Sequence, residues 1–156
     1  MEELFKNHIR SKKLLDDNKT YLLAISGGID SVCLGYLLKT AGISFALAHV
    51  NFGLRGSESK EDEIFVNRLA NEWGVVLHLI ETSKEEMNQV GISLQMAARE
   101  FRYSWFEKIR KEYHYSGLLV AHHVDDQLET IFLNLLRGTG IEGIYGMSEQ
   151  RGDIIR

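Results

Sequence analysis

The stretch YLLAISGGIDSVCLGYLLKTAG, residues 21–42, consists of two apolar runs separated by Ser26-Gly27-Gly28-Ile29-Asp30-Ser31. The first run is short, apolar throughout and bounded by turn residues, the signature of a strand buried on both faces. The second has helical spacing and stops at Gly42, a residue suited to the left-handed C-cap. A strand therefore hands over to a helix through a turn rich in glycine, hydroxyl and carboxylate groups.

The same alternation continues along the chain. ISFALAHVN (43–51), VVLHLIE (75–81) and GLLVAHH (117–123) read as further strands. Between them, the polar stretch FGLRGSESKEDE (52–63) leads into a helix through IFVNRLANEWG (64–74). A short helix is expected around 83–90, a long one from Ser93 to Glu112, and a strongly periodic one over VDDQLETIFLNLLRG (124–138). Residues 2–16 carry a helical pattern ahead of the first strand. Strands alternating with helices imply right-handed crossovers, hence an α/β fold: a doubly wound parallel sheet with helices on both faces. Ligands of such sheets bind beyond the carboxyl ends of the strands. Polar residues gather there, at Ser26–Ser31, His49–Arg55 and His122–Asp126.

With 156 residues, 44% of them hydrophobic and 26% charged, the chain has the composition of one globular domain. It contains no apolar run of membrane-spanning length and no basic, apolar leader at its start, so a cytoplasmic protein without membrane contact is expected. Cys33, the single cysteine, lies in an apolar helical stretch and reads as a packing residue. The net charge of −4 argues against a domain devoted to holding nucleic acid. The chain has no proline, and EQRGDIIR (149–156) closes no recognisable element; both features suggest the front part of a longer protein.

Glycines at a strand-to-helix turn remove the Cβ atoms that would hold a ligand away, and leave N–H groups at a helix start, where anions are favoured. Ser26 and Ser31 add hydroxyl donors, and Asp30 suits the site if a divalent cation bridges it to phosphate oxygens. The loop lacks the Lys-Ser/Thr of a Walker A motif and the G-x-G-x-x-G spacing of a dinucleotide fold. A tight turn with Asp30 as the helix cap is the simpler structural alternative. In the helix after the fourth strand, Asp125 and Glu129 share a face, and Asp126 lies three residues from Glu129. They could complement the helix dipole, but with His122, His123 and Gln127 close by, binding of Mg²⁺ or a substrate base is the better reading. Adjacent histidines on a strand point to opposite faces, which disfavours a zinc site at His122, His123 and Asp126. Arg99 and Arg102, three residues apart on a helix, suit a pair of phosphate contacts, with surface ion pairing as the alternative. His49 and Asn51 are candidates to border an adenosine, or simply cap a strand end. Arg137, at the base of a glycine-rich stretch, is a further candidate phosphate contact or part of a helix cap and linker.

SGGIDS at this position resembles the loop of the N-type ATP pyrophosphatases, the PP-loop superfamily. AHVNFGLRGSESKEDEIFV (48–66), LQMAAREFRYSWF (94–106) and AHHVDDQLETIFLNLLRGTGIEGIYGM (121–147) narrow the resemblance to the tRNA(Ile)-lysidine synthetase family. The whole of 1–156 is then expected to be one PP-loop domain. The resemblance implies ATP and Mg²⁺ as cofactors, with Ser26, Gly27, Gly28, Ile29, Asp30, Ser31, His49 and Asn51 around the nucleotide. It implies Asp30 and Asp126 at the metal, and catalytic roles for Asp30, Arg99, Arg102, Asp125 and Asp126. The partners implied are an isoleucine tRNA and free lysine, and a homodimer is left open. Many members have histidine where this chain has Phe52, so no role is carried to that position. A tRNA thiolase of the same superfamily and a non-catalytic ATP sensor are the alternatives.

Overall fold

The computed structural model describes residues 1–53, 57–83, 93–121 and 150–155. Residues 84–90 of the short helix expected around 83–90, and the whole of the one expected at 124–138, and with them Asp125, Asp126, His122, His123, Gln127, Glu129 and Arg137, lie outside the described residues.

The described elements run α1 (Glu2–Ser11), β1 (Thr20–Ala24), α2 (Ile29–Ala41), β2 (Ser44–Asn51), α3 (Ser57–Trp73), β3 (Leu77–Glu81), α4 (Leu94–Glu112), β4 (Leu118–Val120), β5 (Gln150–Arg151) and β6 (Ile154–Ile155). They form a sheet of order β3-β2-β1-β4-β6-β5. The pairs β2–β3, β1–β2, β1–β4 and β4–β6 are parallel. The expected doubly wound α/β fold is the fold observed. The order reverses between β1 and β4, so the turn after β1 lies at the switch point where such sheets open a ligand crevice.

Alternation along the strands divides the core. Tyr21, Leu23 and Ile25 of the first strand region join Phe45, Leu47, Leu38, Val66 and Leu69 on the face covered by α1, α2 and α3. Leu22, Ala46, Ala48 and Leu118 join Phe106 and Tyr115 on the face covered by α4. With helices on both sides, neither face of β1 tolerates polar residues, which is why Leu22 and Leu23 are both fully buried. Gly35 of α2 lets α3 approach: an added Cβ there would lie 2.5 Å from Trp73. Gly42 ends α2 at φ 77°, in the left-handed cap expected.

Three expectations need correction. Cys33 is exposed on α2, because the buried arc of that helix runs through Ser31, Gly35 and Leu38. The polar stretch before residue 64 does not all precede the helix: α3 starts at Ser57, so its acids belong to the first turns of a helix. The end of the chain does form an element. Gln150 and Arg151 pair antiparallel with Ile155 and Ile154 across a tight turn in which Gly152 has φ 60°. β6 then extends the parallel sheet beside β4, and β5 adds an antiparallel edge. Only two residues per strand leave no period to detect, so the hairpin is invisible in the sequence.

Candidate active site at the carboxyl edge of the sheet

The turn after β1 is built by its own residues. Ile25 is 2% exposed and still belongs to the sheet, its N–H donating to the Ala48 carbonyl at 3.0 Å. Gly27 then takes φ 91°, a conformation that side chains rarely adopt. Gly28 is the N-cap of α2 with φ −71° and no side-chain cap. The two hydroxyls organise the loop. Ser31 Oγ donates to the Gly28 carbonyl at 2.9 Å and accepts from the Ser26 N–H at 3.2 Å. Ser26 Oγ accepts from the Gly28 N–H and lies 3.2 Å from Ser31 Oγ. The N–H groups of Gly27, Ile29 and Asp30 have no partner among the described residues. Unpaired donors at the start of a helix form an anion cradle.

Asp30 is exposed in the first turn of α2, and its carboxylate caps nothing. The helix-cap alternative for this residue is therefore removed. A second carboxylate stands beside the loop: Asp62 Oδ1 lies 3.3 Å from where a Cβ on Gly27 would be. Sequence reasoning missed Asp62 because its segment was read as a polar stretch ahead of the helix; the signal was the acidic run SKEDE, now placed on α3.

His49 and Asn51 lie within β2 rather than beyond it, 4% and 2% exposed. His49 Nδ1 is 2.8 Å from the Ile25 carbonyl, an acceptor, so Nδ1 carries the hydrogen. This bond fixes the residue that launches the loop. Asn51 Nδ2 donates to Glu63 Oε2 at 2.7 Å, while its Oδ1 accepts from the Gly53 N–H at 2.9 Å. Its carbonyl accepts from the Thr82 N–H, so one residue staples the ends of β2 and β3 to α3.

Arg99 and Arg102 stand on α4, whose N-cap Ser93 accepts from the Met96 N–H at 3.3 Å. Neither arginine has an ion pair among the described residues. Arg99 lies over the Tyr103 ring and Arg102 over the Phe52 ring, each guanidinium carbon 5.2 Å from the ring centroid. Burial lowers the Arg102 pKa from its ordinary value; Tyr103 opposes that shift and the like charge of Arg99 adds to it. The residue remains a cation, with no acid paired to it among the described residues.

The structure thus gathers Ser26 to Ser31 into one loop with His49 bonded to its base. No hydrogen bond or ion pair among the described residues joins the arginines to that loop. No group of three or more His, Cys, Asp or Glu side chains among the described residues is arranged to hold a metal. Asp30 and Asp62 are nevertheless hard oxygen donors beside an anion cradle, which fits a cation sharing its ligands with phosphate and water.

Comparison with known proteins places the chain by family and fold. The chain is 45% identical over 150 residues to a tRNA(Ile)-lysidine synthase of Bacteroides thetaiotaomicron, covering 96% of this chain and 35% of the relative. It is 47% identical over 147 residues to that of Porphyromonas gingivalis W83, covering 93% and 32%. The chain spans about a third of the length of these relatives. Among solved structures it is similar to the U34-tRNA thiolase NcsA of Methanococcus maripaludis with its 4Fe-4S cluster, with TM-score 0.70 and 18% identity over 90% of this chain and 52% of that one. It is also similar to the NH3-dependent NAD synthetase of Campylobacter jejuni, with TM-score 0.59 and 20% identity over 93% and 61%. At such identities these likenesses speak for the fold alone. A family model described as a PP-loop domain matches residues 1–156, and the chain belongs to that family.

Proposed function

We propose that this domain activates ATP for a tRNA(Ile)-lysidine synthase. The observation that carries the reading is the identity of 45–47% to synthases of that name over nearly all of this chain. In the first step the C2 oxygen of the wobble cytidine of an isoleucine tRNA attacks the α-phosphorus of ATP. The bond from that phosphorus to the bridging oxygen breaks, and pyrophosphate leaves with the electron pair. In the second step the amino nitrogen of free lysine attacks C2, the C2–O bond breaks, AMP departs and the amine gives up a proton.

The residues divide this work by charge. The unpaired N–H groups of Gly27, Ile29 and Asp30 hold phosphate oxygens, with Ser26 and Ser31 shaping the loop. Arg99 and Arg102 stabilise negative charge that grows on the departing pyrophosphate. Mg²⁺ would be held by Asp30 and Asp126, with Asp62 the carboxylate that α3 adds beside the loop, and when bound it neutralises phosphate charge. Asp125 or Asp126 accepts the proton released by lysine, since the attacking amine must be neutral. His49 positions the loop through Ile25, and with Asn51 borders the adenosine. The compartment in this reading is the cytoplasm; no helix among the described residues is long and apolar enough to cross a membrane.

The thiolase alternative comes from the superfamily resemblance, since a fold neighbour of that name at 18% identity speaks for the fold alone. Residues 1–156 offer a single thiol, Cys33, on the exposed side of α2, too few to ligate a cluster. The test is the fate of ATP in the full-length protein. Pyrophosphate that appears only with isoleucine tRNA present, together with labelled lysine on that tRNA, is expected. Orthophosphate, or sulfur on the tRNA, would overturn the reading.

A further inference from the structure

We infer that Phe52 is a positioning residue: its ring holds the Arg102 guanidinium in place while leaving both its charge and its N–H donors available to an anionic ligand. The inference rests on the proposed role of Arg102 at the polyphosphate. Phe52 follows directly on Asn51, the last residue of β2, so it sits on the rigid edge of the sheet. It packs against Ala97 and Ala98, which are 5% and 7% exposed, and meets Phe101 edge to face at a centroid distance of 6.2 Å. Two small residues on α4 thus admit the ring, and Arg102, on the same helix, lays its guanidinium across the ring at 5.2 Å.

A carboxylate in that place would also hold the arginine, but it would neutralise the charge and occupy the donors. A ring face does neither, because it attracts the cation electrostatically without offering a carboxylate oxygen to neutralise it or take up its N–H groups. Arg99 is held the same way by Tyr103, one turn along its own helix. The Phe52 contact differs in crossing from the sheet edge to α4, so it fixes Arg102 relative to the strand ends rather than to its own helix. Two like charges are kept close with no acid between them among the described residues. An anion seated across them relieves that repulsion.

The test is a double-mutant cycle on the full-length protein, read by tRNA-dependent pyrophosphate release and by calorimetric titration with inorganic pyrophosphate. Phe52→Leu keeps an apolar side chain of similar size without a π face, and should cost about tenfold in kcat/KM and in affinity. Phe52→Tyr should restore wild-type values. In an Arg102→Ala background, Phe52→Leu should add almost nothing. Phe52→His adds a pH readout that does not depend on Phe52→Leu folding. Its activity should fall as pH drops below about 6.5, where a protonated ring repels Arg102, while wild type shows no such loss. A Phe52→Leu cost that is the same in both backgrounds, or Phe52→Leu at wild-type level while Arg102→Ala is impaired, overturns the inference and leaves the proposed function standing. Wild type that releases no pyrophosphate refutes the proposed function instead, and the pyrophosphate titration then decides the role of Phe52.

Discussion

The two ends of α4 hold arginines in opposite ways. Near its start, Arg99 and Arg102 rest on aromatic rings and pair with no acid among the described residues. Near its end, Arg110 has four of its five N–H donors engaged. Its Nε and Nη2 donate to the two Glu107 carboxylate oxygens at 2.8 and 2.9 Å, Nη2 also to Asp153 at 2.8 Å, and Nη1 to the Tyr115 carbonyl at 3.3 Å. The first end faces the carboxyl edge of the sheet; the second pins the β5–β6 hairpin to the helix. Identical side chains on one helix thus separate by partner, since a cation with two carboxylates and a carbonyl on its donors stabilises the fold and has little left to offer a ligand.

Exchanging the properties of the two ends is the way to break this comparison. The largest effect is expected at the open end: Arg102→Ala should lower tRNA-dependent pyrophosphate release about 100-fold, the scale of losing one charge-stabilising donor, with the melting temperature unchanged. A large fall in melting temperature would instead make Arg102 structural. Asp30→Asn should follow, slowing pyrophosphate release by about tenfold or more while ATP affinity falls less, because a metal ligand acts mainly on charge that grows in the transition state. Equal losses in rate and affinity would move Asp30 to ground-state binding.

At the closed end, Arg110→Ala should leave ATP affinity intact and cost about 1–2 kcal/mol of stability, as expected for partly exposed ion pairs and one carbonyl bond. Loss of ATP binding in this variant would contradict the division. The smallest effect is a pH dependence. The hydrogen bond from Arg110, and to a lesser degree Lys111, holds the Glu107 pKa down from 4.5 to about 2. A carboxylate whose folded pKa is depressed contributes stability above its unfolded pKa and loses it as pH falls through the folded value, here between 4.5 and about 2. Glu107 is 39% exposed, so solvent screening keeps the contribution well under about 1 kcal/mol. Glu107→Gln should flatten the acid limb of a pH–stability curve in that window, and an unchanged limb would show that the pair contributes nothing.

The open end was the more legible of the two in the sequence. SGGIDS between an apolar run and a helical period announces a strand, a turn and a helix at once, and Ser93 with the apolar spacing of 94–112 placed α4 to within a residue. The arginines could be named from spacing, but not their ring platforms, because Phe52 meets α4 across a gap of some 50 residues that no local period encodes. Asp62 was hidden for a related reason: a polar, acidic segment looks alike as linker or as the exposed start of a helix, and only packing brings it against Gly27. The closed end was unreadable, since the hairpin is too short to have a pattern and depends on Arg110 and on the Leu118 N–H donating to the Asp153 carbonyl at 2.7 Å.

The central claim is that the loop after β1 holds the phosphates of ATP, and Gly28 tests it with the least disturbance. Its φ of −71° suits any residue, and among the described residues an added Cβ meets Ser26 Oγ at 3.3 Å, which asks only for a small shift of that hydroxyl, so Gly28→Val places a side chain in the cradle without backbone strain. Titrating Mg²⁺-ATP into residues 1–156 by calorimetry should show binding by the wild-type chain and a loss of about 100-fold or more in Gly28→Val, at matched melting temperature. Equal affinity in the two folded proteins would contradict the account.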